Sequence, residues 1–225
     1  MNSSVPSRAK TRILLVDDHP IVRQGIRMLV DLEEDMVVCG EAESEAEALR
    51  VIEQTQPQVA VVDLSLKDSS GLSLTREIRS RYPKVDVLVL SMRDEAFYAE
   101  RVLRAGAKGY ITKEQGTERI IEGIRKVLSG SIYLSEGMAS KMLKVMVGGN
   151  ASDRSPMERL SDRELSVFEL IGHGLTTRDI AKRLHLSVKT VESHREHIKE
   201  KLILSGAPDL LKYAIQWVQC QTERA

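Results

Sequence analysis

The 225 residues carry 33 basic and 33 acidic side chains, so net charge singles out no nucleic acid, membrane surface or acidic partner. Residues 1–130 hold 19 basic against 21 acidic groups and the rest 14 against 12, an asymmetry too small to argue from. Cys39 and Cys220 lack His or Cys neighbours at metal-ligand spacing and read as reduced thiols. No apolar run is long enough to span a membrane, and the polar start lacks the apolar stretch of a signal peptide. The expectation is a cytoplasmic protein that makes no membrane contact.

In the first half, five short apolar runs alternate with helical patterns: Arg12–Val16, Met36–Cys39, Gln58–Val62, Val85–Leu90 and Lys108–Ile111. Apolar stripes at helical spacing lie between or after them. They are Ile21/Val22/Gly25/Ile26/Leu29, Ala99/Val102/Leu103/Gly106 and Ile120/Ile121/Ile124/Val127/Leu128. Ser44 with Glu47 predicts a capping box. Five βα units in succession predict an α/β domain over residues 1–130, a five-stranded parallel sheet with helices on both faces.

The run Val59–Leu64 contains Asp63, a carboxylate at the end of a strand expected to be buried on both faces. The first run ends similarly, in Asp17-Asp18. If these strands are neighbours, three carboxylates converge, and their repulsion demands a proton or a cation. Hard oxygen ligands with water access favour Mg²⁺. Asp63 then reads as a nucleophile toward phosphorus, with Asp17 and Asp18 holding the ion. Lys113, after the fifth run, could bring an ammonium to the phosphoryl group, and Ser91, ending the fourth, a hydroxyl.

Gly130 closes the last helix of this domain. Residues 131–157 read as a connector. Ser135–Val147 carries Met138, Met142, Leu143 and Met146 at helical spacing, and Gly148–Pro156 is a flexible tether. The stripe is expected to dock on one domain before phosphorylation and release afterwards.

Residues 158–225 predict a small all-α domain of four helices. Ser161-Asp162-Arg163-Glu164 is a capping box opening a helix with Leu165, Phe168 and Ile171 inward, stopped by Gly172 and Gly174. Thr177 starts a short helix with Ile180, Ala181 and Leu184 on one face. After a turn at His185-Leu186, Ser187 caps a helix from Val188 to about Leu202. A last helix, with Pro208 in its first turn, carries Leu211, Ala214, Ile215 and Val218 in a stripe. Two short helices joined by a tight turn fit a helix-turn-helix. On the Val188–Leu202 helix Val191, His194, Ile198 and Leu202 face inward, His194 as a packed core histidine. Outward residues suit a major groove, with Ser187, Lys189 and Lys199 toward phosphates, Glu192, Ser193 and Glu196 toward base edges, and Thr190 beside them. Two outward glutamates repel phosphate, so a single domain should bind modestly.

The set Asp17-Asp18, Asp63, Ser91, Tyr110 and Lys113, at successive strand ends, resembles the receiver domain of bacterial response regulators. The resemblance implies a flavodoxin-like fold with Asp63 as phosphoacceptor. It implies Asp18 and Asp63 as direct Mg²⁺ ligands, Asp17 acting through water and Ser65 giving a backbone carbonyl. Ser91 and Tyr110 resemble the switch pair, the hydroxyl moving to the phosphate and the ring turning inward behind it. Two positions depart from the family's usual prolines, Lys67 and Glu114. The run Leu160–Glu164, Gly174–Ala181 and Leu186–His194 is similar to the LuxR-type DNA-binding domain, so nearly the whole chain resembles the NarL/FixJ class. That class implies a sensor histidine kinase as partner, double-stranded DNA as target and a homodimer when phosphorylated. It implies no enzyme activity beyond phosphate uptake and release at Asp63. The alternatives are a pseudo-receiver with constitutive DNA binding, or a hydrolase forming an aspartyl phosphate on a metabolite.

Overall fold

A computed structural model describes residues 9–66, 70–115, 118–148 and 156–222. The chain divides into two compact units, residues 1–138 and 139–225. Strands and helices alternate strictly through the first: β1 (Thr11–Val16), α1 (Pro20–Asp31), β2 (Met36–Ala42), α2 (Glu45–Thr55), β3 (Val59–Asp63), α3 (Gly71–Arg81), β4 (Asp86–Ser91), α4 (Glu95–Ala105), β5 (Gly109–Thr112) and α5 (Glu118–Leu128). The strands form one parallel sheet in the order β2-β1-β3-β4-β5. All five residues of β3 are buried, because helices cover both faces of the central strands. On one face Ile26, Val30, Ile120, Ile124 and Val127 pack with Ile13, Leu15, Val61, Leu88 and Ile111. Strand order reverses between β1 and β3, the point where open α/β sheets form a crevice at their carboxyl ends.

Local departures from expectation have local causes. β2 runs to Ala42, beyond Cys39, because its register shifts between Ile13 and Leu14, so that Leu15 faces Glu41 and Val16 faces Ala42. On α1 the stripe is rotated from the one expected. Ile21 is 80% exposed and Gly25 is exposed, while Arg23, Ile26 and Val30 are buried. Ile21 lies five residues before Ile26, about 140° around the helix. At α2, Ser44 Oγ accepts from the Glu47 N–H at 3.4 Å, but the Glu47 carboxylate accepts from Glu43 N–H, not from Ser44.

A further helix, α6 (Glu136–Gly148), straddles the division between the units. Residues 131–138 lie in the first unit: Tyr133 bridges to Gly109, and Met138 is buried. Met142 is half-buried and Leu143 is 61% exposed. The Met146 side chain, the tether at 149–155 and Lys67 lie outside the described residues.

The second unit contains α7 (Asp162–Gly172), α8 (Thr177–Arg183), α9 (Val188–Leu202) and α10 (Ala207–Thr222). The Ser161–Glu164 capping box is complete, as expected. Phe168 is fully buried, with the Tyr213 and Trp217 rings edge-on, each at 5.8 Å. The phase of α10 differs from the expected stripe: Leu210 and Ala214 are fully buried while Leu211 is 43% exposed. At Gly172 a Cβ would sit 2.5 Å from both the Ala214 carbonyl oxygen and Val218 Cγ2, so α10 closely approaches α7 at residues 214 and 218. Among the described residues no helix is long and apolar enough to cross a membrane.

Candidate functional site

β1 and β3 are neighbours, with Val16 opposite Val62, so Asp17 and Asp63 lie side by side at the sheet's carboxyl edge. Both side chains are buried. Lys113 leaves β5 on the far side of β4, and its Nζ donates to Asp17 Oδ2 at 2.6 Å and to Asp63 Oδ2 at 3.0 Å. Asp18 and His19 complete the cluster, each offering a ligand atom within 4.8 Å of those of Asp17 and Asp63. Three carboxylates therefore face one lysine. Burial raises the Asp63 pKa above the ordinary carboxylate value; Lys113 opposes that rise and Asp17 adds to it. Burial works against the Lys113 ammonium, but the pull of Asp63 and Asp17 prevails and raises its pKa. Asp18 Oδ1 is buried and accepts no aligned hydrogen bond, although His19 Nδ1 lies 2.9 Å away. An orphaned carboxylate oxygen in an excess of negative charge fits a small hard dication such as Mg²⁺.

The other sequence-predicted residues gather around the same edge. Ser91 is fully buried at the end of β4, and its Oγ accepts from the Arg93 N–H at 3.2 Å. The Tyr110 ring is also buried, and its hydroxyl donates to the Arg93 carbonyl at 2.6 Å. Burial raises that hydroxyl's pKa well above its usual value. Ser65 donates its N–H to Asp63 Oδ1 at 3.3 Å, and its Oγ accepts from Arg93 Nε at 3.1 Å. Glu114 is exposed in the turn after Lys113.

Two residues that brace the pocket escaped the sequence reading. Arg23 is buried and donates to the Asp17 carbonyl at 2.5 Å, to Glu41 at 2.9 Å and to Glu43 at 2.7 Å. Its signal was a cation three residues before the inward Ile26, facing an acid-rich end of β2. Gly71 opens α3 directly against β3: a Cβ there would lie 2.1 Å from the Asp63 carbonyl oxygen.

In the second unit, Ser187 caps α9, its Oγ accepting from the Thr190 N–H at 3.0 Å and pairing with the Thr190 hydroxyl at 2.7 Å. Val191, Ile198 and Leu202 are buried, and His194 is only half-buried. Lys189, Glu192, Ser193 and Glu196 are exposed. Lys199 is tied to Glu196 at 2.7 Å, and Ser193 Oγ donates to the Lys189 carbonyl at 3.1 Å. Glu164, His194 and His197 could also surround a metal ion. Lys201 Nζ and the Ser161 N–H both bond Glu164 Oε2, at 2.6 and 2.7 Å, and make it a brace between α7 and α9, while its Oε1 lies 3.8 Å from His197 Nδ1.

Comparison with known proteins matches residues 13–125 to the response regulator receiver domain and residues 158–214 to the LuxR family of bacterial regulatory proteins. The chain is 38% identical over 210 residues to the oxygen regulatory protein NreC of Staphylococcus carnosus (strain TM300), covering 91% of this chain and 97% of that one. Among solved structures it is similar to the RcsB response regulator of Salmonella typhimurium, at 25% identity and a TM-score of 0.72, over 93% of this chain and 98% of that one. A structure of RcsB from Salmonella enterica serovar Typhimurium, bound to promoter rprA in the presence of phosphomimetic BeF3-, gives 26% identity and a TM-score of 0.69, over 91% and 98%. The acid pocket at the sheet edge, the helix-turn-helix and these matches together establish that the chain belongs to the two-component response regulators of the NarL/FixJ class, which join a receiver domain to a LuxR-type DNA-binding domain.

Proposed function

We propose that Asp63 accepts a phosphoryl group from a sensor histidine kinase and that this controls sequence-specific DNA binding by the α9 helix. The observation that carries this reading is the Lys113 ammonium bridging Asp17 and Asp63 at the ends of adjacent strands. An Asp63 oxygen forms a bond to phosphorus as the P–N bond of a phosphohistidine breaks. The electron pair returns to the imidazole nitrogen, which takes a proton from water. Hydrolysis of the acyl phosphate returns the carboxylate and inorganic phosphate, and the chain's own chemistry is confined to these two steps. Asp17, Asp18, Asp63 and the Ser65 carbonyl are the groups that would hold Mg²⁺, which when bound offsets charge on the phosphoryl oxygens. Lys113 supplies a fixed positive charge to the transferred group, and the Ser91 hydroxyl donates to one of its oxygens. Tyr110 follows Ser91 as the switch residue, so a local change of charge biases a two-state element.

Residues 1–130 then act as receiver, 131–157 as connector and 158–225 as DNA reader. Ser187, Lys189 and Lys199 meet phosphates, and Thr190, Glu192, Ser193 and Glu196 lie toward base edges. Phosphorylated protein dimerises and spans two half-sites, which raises the affinity of a domain that is weak alone. The protein acts in the cytoplasm, where its DNA lies. The structures of RcsB on promoter DNA and of RcsB dimers on DNA support this reading.

The test is Asp63→Ala treated with acetyl phosphate and Mg²⁺. The variant takes up no acid-labile phosphate, and its DNA binding becomes indifferent to the phosphodonor. Full labelling of the variant refutes the assignment. A wild-type protein that binds DNA equally with and without phosphodonor instead supports constitutive binding.

A further inference from the structure

Tyr110 and the start of α6 are joined in a closed path of hydrogen bonds and short stretches of chain. Tyr110 donates its hydroxyl proton to the Arg93 carbonyl at 2.6 Å. Two residues on, Glu95 opens α4 and is only 9% exposed, and its carboxylate accepts from the Ser135 N–H at 2.9 Å. Ser135 immediately precedes α6; its Oγ accepts from the Met138 N–H at 3.1 Å, and Met138 is buried. Upstream, the Tyr133 N–H donates to the Lys108 carbonyl at 2.9 Å, and the Tyr133 carbonyl accepts from the Tyr110 N–H at 2.9 Å. The path thus returns to Tyr110. It involves none of the acid pocket.

A helix start leaves several N–H groups without intrahelical partners, and water satisfies them at little cost. Here a largely buried carboxylate does so from a different helix, one that begins four residues after Ser91. A charge-assisted hydrogen bond to a helix N-terminus is among the stronger single contacts available. Its acceptor sits on the first residue of α4, four residues after Ser91. Its donor sits where the chain leaves the receiver.

We propose that Glu95 is the positioning residue through which phosphorylation reaches the connector: its carboxylate seats the start of α6 on the receiver when the Tyr110 ring is inward. The inference rests on the phosphorylation of Asp63 proposed above. With Ser91 drawn to the phosphoryl group and Tyr110 held inward, the Arg93 carbonyl and the Glu95 carboxylate are fixed, and residues 133–138 stay docked. Without phosphate, Tyr110 releases the Arg93 carbonyl, Glu95 shifts, and the Ser135 N–H exchanges its partner for water. The connector therefore docks on activation, the reverse of a segment that releases.

The experiment is hydrogen exchange on the full-length protein with and without acetyl phosphate and Mg²⁺, with phosphate uptake followed by intact mass. In wild-type protein, phosphorylation slows exchange over residues 133–138 by roughly tenfold, the size expected for one hydrogen bond to a charged group. Glu95→Ala takes up phosphate at the wild-type level but shows no such slowing. Glu95→Gln, which keeps an acceptor oxygen but not the charge, restores part of it. A Glu95→Ala protein that slows as wild-type does overturns the proposal, as does wild-type protein that takes up phosphate without slowing. Absence of phosphate uptake by wild-type protein overturns the reading of Asp63, and this inference with it.

Discussion

Gly71→Ala tests how closely Asp63, the proposed phosphoacceptor, is held. The Gly71 N–H donates to the Leu64 carbonyl at 3.0 Å, pinning the start of α3 to the end of β3. A Cβ at residue 71 would lie 2.1 Å from the Asp63 carbonyl oxygen and 2.8 Å from Leu64 Cα, whereas real Cβ atoms essentially never come within 3.0 Å of a neighbour. The clashing atoms are backbone, so relief requires the strand end and the helix to separate by ~1 Å rather than a side chain to turn. Overpacking of this kind costs about 1–3 kcal/mol. A misplacement of about 1 Å at a reacting group lowers a rate by roughly a hundredfold. Gly71→Ala is therefore expected to remain folded with a lowered melting temperature and to take up phosphate from acetyl phosphate on the order of a hundred times more slowly. Initial rates of acyl-phosphate formation, with thermal unfolding in parallel, measure both effects. A variant with wild-type rate and wild-type stability refutes the reasoning.

Three further outcomes follow from the second unit, whose Trp217 is the chain's single tryptophan and reports its unfolding by fluorescence. Burial pushes the Glu164 carboxyl up, but Lys201 and the Ser161 N–H outweigh burial and hold it below the usual carboxylate range. Its stabilisation is thus complete above the unfolded value of about 4.3 and fades as pH falls through the lower folded value. Glu164→Gln removes that part of the acid limb in urea titrations, and parallel pH profiles for the two proteins would sink the assignment. Phe168→Ala empties a fully buried site between Tyr213 and Trp217 and costs about 3–5 kcal/mol; an unchanged urea midpoint contradicts it. Lys189→Ala weakens binding to all DNA sequences alike and lowers the slope of log affinity against log salt by about 1. An unchanged slope removes Lys189 from the phosphate contacts.

Much of the pocket was legible because its residues mark abrupt changes in the sequence. A buried strand that stops at an acid, a hydroxyl or just before a lysine is visible without knowing its neighbours, and Asp17, Asp63, Ser91 and Lys113 are all of that kind; Tyr110, inside β5, was legible only through the family resemblance. Arg23, Gly71 and Glu95 were not legible, because each matters through a partner in a different element. Arg23 meets Glu41 and Glu43 across 18 and 20 residues, and Glu95 meets Ser135 across 40. Helix phase failed where the pattern was degenerate. Leu210 and Leu211 serve an apolar stripe equally well, and packing within the folded unit decides between them: Leu210 is fully buried and Leu211 is 43% exposed. Ile21 looked inward because it is apolar, but Arg23 takes the inward place and uses it to grip the Asp17 carbonyl.

That grip divides the pocket's scaffolding in two. The aspartates are held from behind by Arg23 on α1, which also grips Glu41 of β2, and by Gly71 on α3. The hydroxyl and the ring are held by Arg93, just before α4, and by Tyr133, beyond α5, while Lys113 and the Arg93–Ser65 bond reach across the β3–β4 pairing that joins the halves. A lineage can thus alter its downstream message through the contacts beyond Tyr110 while inheriting the wall of aspartates intact.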